Sequence, residues 1–270
     1  MTTAALPSYD LDQRVTQARV LRSEWTKFRS LPSTIWASLA ALALVVGFGV
    51  LYSTVRVTRP PTDAASLAGF DPTAVSLGGV QLAQIAVGVL GVLAMTGEYG
   101  SGAVRTSFAA VPRRLPVLWG KAAVLGAAVL ALALPATLVA FLAGQSVLSA
   151  EHLDIGLDQP GVARAVIGSA VYLAVIALLG LGTGALLRST AGALAALFGM
   201  LFAVQLIVNF LPASVADSLW KYLPVPAGSA VTFVEPDADS LAPWTGLGVL
   251  CCYVTVLLGV AAWRTLSRDV

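Results

Sequence analysis

Six apolar runs dominate the sequence, at about 34–54, 74–95, 117–143, 162–187, 191–211 and 243–263. A helix of about 17–25 such residues crosses a hydrocarbon core of roughly 30 Å. Inside lipid no water satisfies a backbone amide, so a spanning segment is a helix or part of a closed barrel. None of the runs alternates polar and apolar residues as a barrel strand does. The rest of the composition agrees. Hydrophobic residues make up 57% of the 270, charged residues only 11%, and mean hydropathy is +0.84. A soluble domain carries about 25% charged residues. The sequence therefore predicts an all-α integral membrane protein with six transmembrane helices. It reads as a single transmembrane domain, 1–270, with residues 1–33 as a polar tail. A cleaved signal peptide is not expected, because the first run follows that polar stretch and lacks a small-residue cleavage site. Cys251 and Cys252 lie side by side in the last run and read as small apolar fillers.

The distribution of Lys and Arg sets an expected orientation. Taking the N-terminal side as inside, twelve of the sixteen basic residues fall there. They lie in the tail (Arg14, Arg19, Arg22, Lys27, Arg29), in 96–121 (Arg105, Arg113, Arg114, Lys121), at Arg188, and after the last span at Arg264 and Arg268. The other side keeps Arg56, Arg59, Arg164 and Lys221 with nine of the fourteen acids. By the positive-inside rule both termini are expected in the cytoplasm.

Two polar segments interrupt the oil. In "ARVLRSEWTKFRSLPST", Ala18, Leu21, Trp25 and Phe28 recur at helical spacing as one apolar stripe. Arg19, Lys27 and Arg29 point away from it and Arg22 flanks it. Pro32 disfavours helix at Leu31, and Ser33 can cap the first span. The pattern predicts a helix lying in the membrane interface, followed by a bend. In "TGEYGSGAVRTSFAAVPRR", Gly97, Gly100 and Gly102 oppose continuation of the second span. Ser101 can cap a short helix in which Val104, Phe108 and Val111 share a face, with Arg105 on the polar side. Pro112 ends it, and Pro116 can open the next span. Such a helix can dock in a groove on a soluble partner. A solvated basic loop fits the same residues, and Glu98 is either a solvated acid or a partner for Arg105 or for a basic group on another subunit.

Within the spans polar side chains are few. Gln81 and Gln84 share a face of the second, and Gln205 and Asn209 share one of the fifth. Both pairs read as interhelical hydrogen bonding or as contacts to a pathway. No Asp or Glu lies centrally in any span, which argues against a proton- or sodium-driven carrier. Pro135 predicts a kink in the third span. Gly180 and Gly184 form a GxxxG pair in the fourth. In 212–242, Val215, Leu219, Tyr222 and Leu223 make a short amphipathic turn before Pro224 and Pro226, and "AGSAVTF" offers a second small apolar stretch.

"LRSEWTKFRSLPSTIW" (21–36), "TGEYGSGAVRTSFAAVPRR" (96–114) and "WKYLPVPAGSA" (220–230), in this order and spacing, resemble the permease subunits of type-2 ABC transporters, especially actinobacterial ones. The likeness covers essentially the whole chain. It implies an N-terminal elbow helix containing Leu21, Glu24, Trp25, Phe28 and Arg29. It also implies a short cytoplasmic coupling helix after the second span, with Glu98, Tyr99, Val104, Arg105, Phe108, Val111, Arg113 and Arg114 meeting the ATPase subunit. Two short helices dipping back into the outer membrane are implied before the last span.

Catalytic readings fail on inventory. No HExxH occurs, the one histidine, His152, lies in a loop, and no GxxxxGK[ST] is present. No enzyme activity is expected, and no metal, cofactor or nucleic acid. The resemblance implies the membrane-spanning half of an ATP-driven exporter in the cell membrane. It would pair with a second permease copy, itself or a close homologue, and with two copies of a separate ATPase subunit that binds the ATP. A carrier working without ATP, and a membrane scaffold or immunity protein, are the alternatives. Membrane lipids surround the spans in every case. The apolar spans suit lipids, hydrophobic drugs or amphipathic peptides better than ions.

Overall fold

The computed structural model describes residues 17–30, 32–59, 69–100, 115–235 and 239–267. Among them every regular element is helical. Helix α1 (Gln17–Ser30) is followed by α2 (Pro32–Thr58), the short α3 (Pro72–Ser76), α4 (Val80–Gly100) and α5 (Leu115–Leu148). Then come α6 (Val162–Leu187), α7 (Thr190–Phe198), α8 (Val204–Val208), α9 (Ala213–Trp220), α10 (Pro224–Ser229) and α11 (Pro243–Ser267). Six helical stretches are long and apolar enough to cross a membrane: α2, α4 to Glu98, α5 with its 3₁₀ extension to Glu151, α6, α7–α8 and α11 to Arg264.

Burial orders these helices. In α6, 83% of the most apolar window is buried, against 22% in both α2 and the α7–α8 span. Helix α6 is therefore the axis of the bundle, with α4, α5, α7 and α11 packed on it and α2 seated against α4 and α5. Tyr172, Leu173, Ile176 and Leu179 of α6 are fully buried with Leu90, Leu125, Phe141 and Leu250. The outward faces stay apolar, as at Leu39, Leu142, Ile207 and Val256. That is the expected surface for helices solvated by lipid, whose tails are as apolar as leucine.

The tightest seam is α4 against α6. A methyl group added at Gly180 would fall 2.1 Å from the carbonyl oxygen of Gly88, and one at Gly91 would fall 2.0 Å from that of Ala177. The small-residue pair read from α6 thus has its counterpart in Gly88 and Gly91 of α4. Backbones touch directly there, which is how helices gain dispersion energy without a hydrophobic drive between them.

Three local features depart from the sequence reading. The second span starts at Val80 rather than near residue 74, because α3 is a separate turn. One Asp71 carboxylate oxygen accepts from the amides of Thr73 at 2.8 Å and Ala74 at 3.0 Å, and the other accepts from Val234 at 3.3 Å. Gln145 of α5 secures the same turn by donating to the Pro72 carbonyl at 3.1 Å and Ser76 Oγ at 3.0 Å. Secondly, α4 stays helical through Gly97 to Gly100, past the first glycine that was expected to stop it. Thirdly, the fifth span contains a π-helical turn, Gly199–Ala203, between α7 and α8. Helix α5 is continuous through Pro135. At 34 residues it is about 51 Å long, well beyond a core of roughly 30 Å, so its ends project. In the loop before the last span the two short helices, α9 and α10, have opposite environments. Helix α9 is exposed, whereas Val225, Ala227, Gly228 and Ser229 of α10 are buried against the bundle.

Candidate functional site

At the end of the bundle where α4 leaves and α5 enters, α1 lies across the first turns of α5. Gly120 makes the approach close: a Cβ there would sit 2.9 Å from Val20 Cγ1. That contact turns the Val20–Glu24 face of α1 inward, and both residues are buried. The expected stripe takes a different position. Leu21 is 38% exposed and Trp25 45%, Ala18 and Arg29 are exposed, and Phe28 is half-buried. The Trp25 and Phe28 rings stack with centroids 6.1 Å apart. Lys27 lies away from that stripe and turns toward the bundle.

The inward face carries charge, and the charge is matched. Glu24 Oε2 accepts from Lys121 Nζ at 2.7 Å, and Glu24 Oε1 accepts from Lys27 Nζ at 2.7 Å. Glu98 Oε1 accepts from Lys121 at 2.9 Å and from Lys27 at 3.0 Å. Two carboxylates and two ammonium groups therefore alternate in a closed ring with no net charge. It joins α1 to the last turns of α4 and the first turns of α5. The Glu24 side chain is only 3% exposed and that of Lys121 9%, so water does little to screen this pair. Phe28, Val124 and Leu125 line a cavity of about 30 Å³ beside the ring.

Burial alone would lower the pKa of Lys27, but its bonds to Glu24 and Glu98 outweigh that and hold it above the ordinary lysine value. A raised folded-state pKa means that the stabilisation from Lys27 is complete below the unfolded value and is lost only as the pH rises through the folded one. Lys27 is consequently charged throughout the neutral range.

Of the residues singled out in sequence, Glu98 and Glu24 meet in this ring. Lys27 and Lys121 complete it; the sequence pattern marks both as inner-side basic residues, with Lys27 on the polar face of α1. A signal was present. Lys121 is a lone ion inside an apolar run, and an ionisable group placed there needs a partner. Tyr99 belongs to the last turn of α4. Val104, Arg105, Phe108, Val111, Arg113 and Arg114, and with them the expected short helix and any Glu98–Arg105 pair, lie outside the described residues.

The carboxamides separate into two uses. Gln84 is buried, its Oε1 accepts from the Tyr172 hydroxyl of α6 at 2.5 Å, and its Nε2 donates to the Gln81 carbonyl at 2.8 Å. Gln84 is thus the interhelical bond. Gln81 and Gln205 instead line a vestibule of about 1330 Å³ at the opposite end of the bundle from α1. Asn209 is exposed beyond α8 and does not share that lining. Among the described residues no group of His, Cys, Asp and Glu has the arrangement of a metal site. No protein-family model matches the chain, and no curated protein matches it.

Proposed function

We propose that this chain is the membrane-spanning half of an ATP-driven exporter of the type-2 ABC class, a multi-pass protein of the cell membrane with both termini in the cytoplasm. It works as a dimer, with itself or a close homologue, and is driven by two copies of a separate ATPase subunit. The observation that carries this reading is the charge ring of Glu24, Lys27, Glu98 and Lys121. A segment that receives a push from a soluble motor must be anchored at both ends, or the push is spent in bending it. Residues 101–114 are the candidate handle, and the ring grips the chain at 98 and at 121, on either side of it. Helix α1 is tied into the same grip, so motion of the handle moves α1, α4 and α5 together. The exposed Leu21 and Trp25 leave an apolar face on α1 that suits the membrane interface.

The docking surface is assigned to Val104, Phe108 and Val111, with Arg105, Arg113 and Arg114 as its rim. Phe108→Asp is expected to abolish co-purification of the ATPase and transport-coupled hydrolysis while leaving membrane insertion intact, since central apolar anchors carry most of an interface's energy. Arg105→Ala should act mainly on the rate of association and its salt dependence. Wild-type assembly and hydrolysis in Phe108→Asp would place the handle elsewhere. A carrier or scaffold would purify without any ATPase. Orientation is tested separately by reporter fusions, with cytoplasmic signals expected after Val270 and at 189–190 and an external signal at Asp237.

A further inference from the structure

The vestibule at the far end of the bundle has chemistry of its own. Arg56 and Arg59, at and just beyond the last turn of α2, supply two cations, and Lys221 after α9 supplies a third. Asp217, Glu235 and Asp239 supply three carboxylates. None of these six makes an ion pair with another described residue. Asp71 also lines the space, but it is already committed to capping α3. Tyr52, Phe70 and Trp220 add apolar ring surface among the charges.

Two carboxamides line the same space. Gln81 belongs to the first turn of α4 and Gln205 to α8. Gln205 donates its Nε2 to the carbonyl of Leu201, inside the π-helical turn, which leaves its Oε1 without a hydrogen bond among the described residues. Gln81 accepts from Gln84 at 3.2 Å, and its own Nε2 has no partner among them either. A π turn in a membrane helix gives up ladder regularity and recurs at functional sites. Here it stands directly before the glutamine that faces the vestibule.

We infer that this vestibule is a binding site for a zwitterionic amphiphile, its head among the matched charges and the two free amide groups, its apolar part against Tyr52, Phe70 and Trp220. Three carboxylates disfavour a purely anionic head, and three cations disfavour a purely cationic one. The volume of about 1330 Å³ exceeds the roughly 300–1,000 Å³ of a drug-sized pocket. It has room for a charged head together with the start of a chain. Binding here needs no ATPase, so this inference and the exporter reading fail independently.

The full chain, reconstituted in nanodiscs of phosphatidylglycerol with Phe70→p-benzoylphenylalanine as a photo-crosslinker, provides the test. Crosslinking is read by intact mass against three single-chain amphiphiles of equal length, with phosphocholine, phosphoglycerol and trimethylammonium heads. Saturable labelling by the phosphocholine amphiphile is expected, with half-saturation about tenfold lower than for the other two, equivalent to roughly one charge-assisted hydrogen bond. Free phosphocholine then identifies the source: weak competition marks a membrane amphiphile, and competition equal to the amphiphile's marks a soluble zwitterion. Gln205→Leu and Arg56→Gln should each raise half-saturation about threefold to tenfold. Arg56 is exposed, so its substitution tests the site even if Gln205→Leu assembles poorly. Equal half-saturation for all three heads, labelling that does not saturate, or indifference to Arg56→Gln would overturn the assignment.

Discussion

Replacing Lys121 with methionine is expected to destabilise the protein by about 3 kcal/mol, towards the lower end of what breaking a buried ion pair costs. Methionine preserves the volume and the apolar contacts of the stem, so the effect isolates the charge. Without Lys121 the ring holds two carboxylates and one cation. Glu24, only 3% exposed at its side chain, keeps Lys27 on Oε1 and loses its partner on Oε2. Lys27 has 36% of its side chain exposed and offsets part of the excess, which keeps the expected value below the full range. Lys27→Met should be milder, because water reaches that site and screens it. Glu24→Gln combined with Lys121→Met restores neutrality and should recover part of the loss, a positive coupling in a double-mutant cycle. Unfolding midpoints in detergent, together with the thiol reactivity of Val20→Cys on the inward face of α1, measure both stability and detachment. If Lys121→Met unfolds with the wild type and Val20→Cys stays protected, the ring does not hold α1.

Alanine at Gly91 or Gly180 should destabilise by at least about 2 kcal/mol, reversing the gain of roughly 1 kcal/mol that alanine brings to an ordinary helix position. The reversal follows from what the new methyl meets. At Gly91 it falls 2.0 Å from the Ala177 carbonyl oxygen and 2.9 Å from the Leu181 nitrogen, and at Gly180 it falls 2.1 Å from the Gly88 carbonyl oxygen. These are backbone atoms, so no rotamer change relieves the contact. Helices α4 and α6 would have to part by roughly 1 Å to reach ordinary separation, and packed interiors transmit such strain rather than absorb it. Gly259 of α11 supplies the contrast, since nothing lies within 4 Å of its added methyl. Gly259→Ala should leave the midpoint unchanged or raise it. Equal behaviour of Gly180→Ala and Gly259→Ala would mean that the seam is looser than its geometry.

The elements were legible from sequence wherever lipid acts locally. A backbone amide in hydrocarbon has to be bonded within its own helix, so six apolar runs sufficed to find α2, α4, α5, α6, α7–α8 and α11. The sequence reading stopped its amphipathic turn before Pro224, although a proline suits a first helical position and α10 opens there. The orientation of α1 was not legible in this way. Lipid and bundle are both apolar, so the stripe of Leu21 and Trp25 satisfies either, and hydrophobic spacing does not say which side meets protein. The close approach at Gly120 decided it by turning Val20 and Glu24 inward. The ring depends on tertiary structure in a stronger sense, because Glu24 and Lys121 stand 97 residues apart and no local pattern links them. The same holds where Gln84 reaches Tyr172 across 88 residues while Gln81, its neighbour on the helix face, opens to the vestibule. Sequence determined which segments are helices, because each satisfies its own backbone. Only the packed bundle decided which polar side chains are paired and which are left facing a cavity, because charges and amides find partners through space.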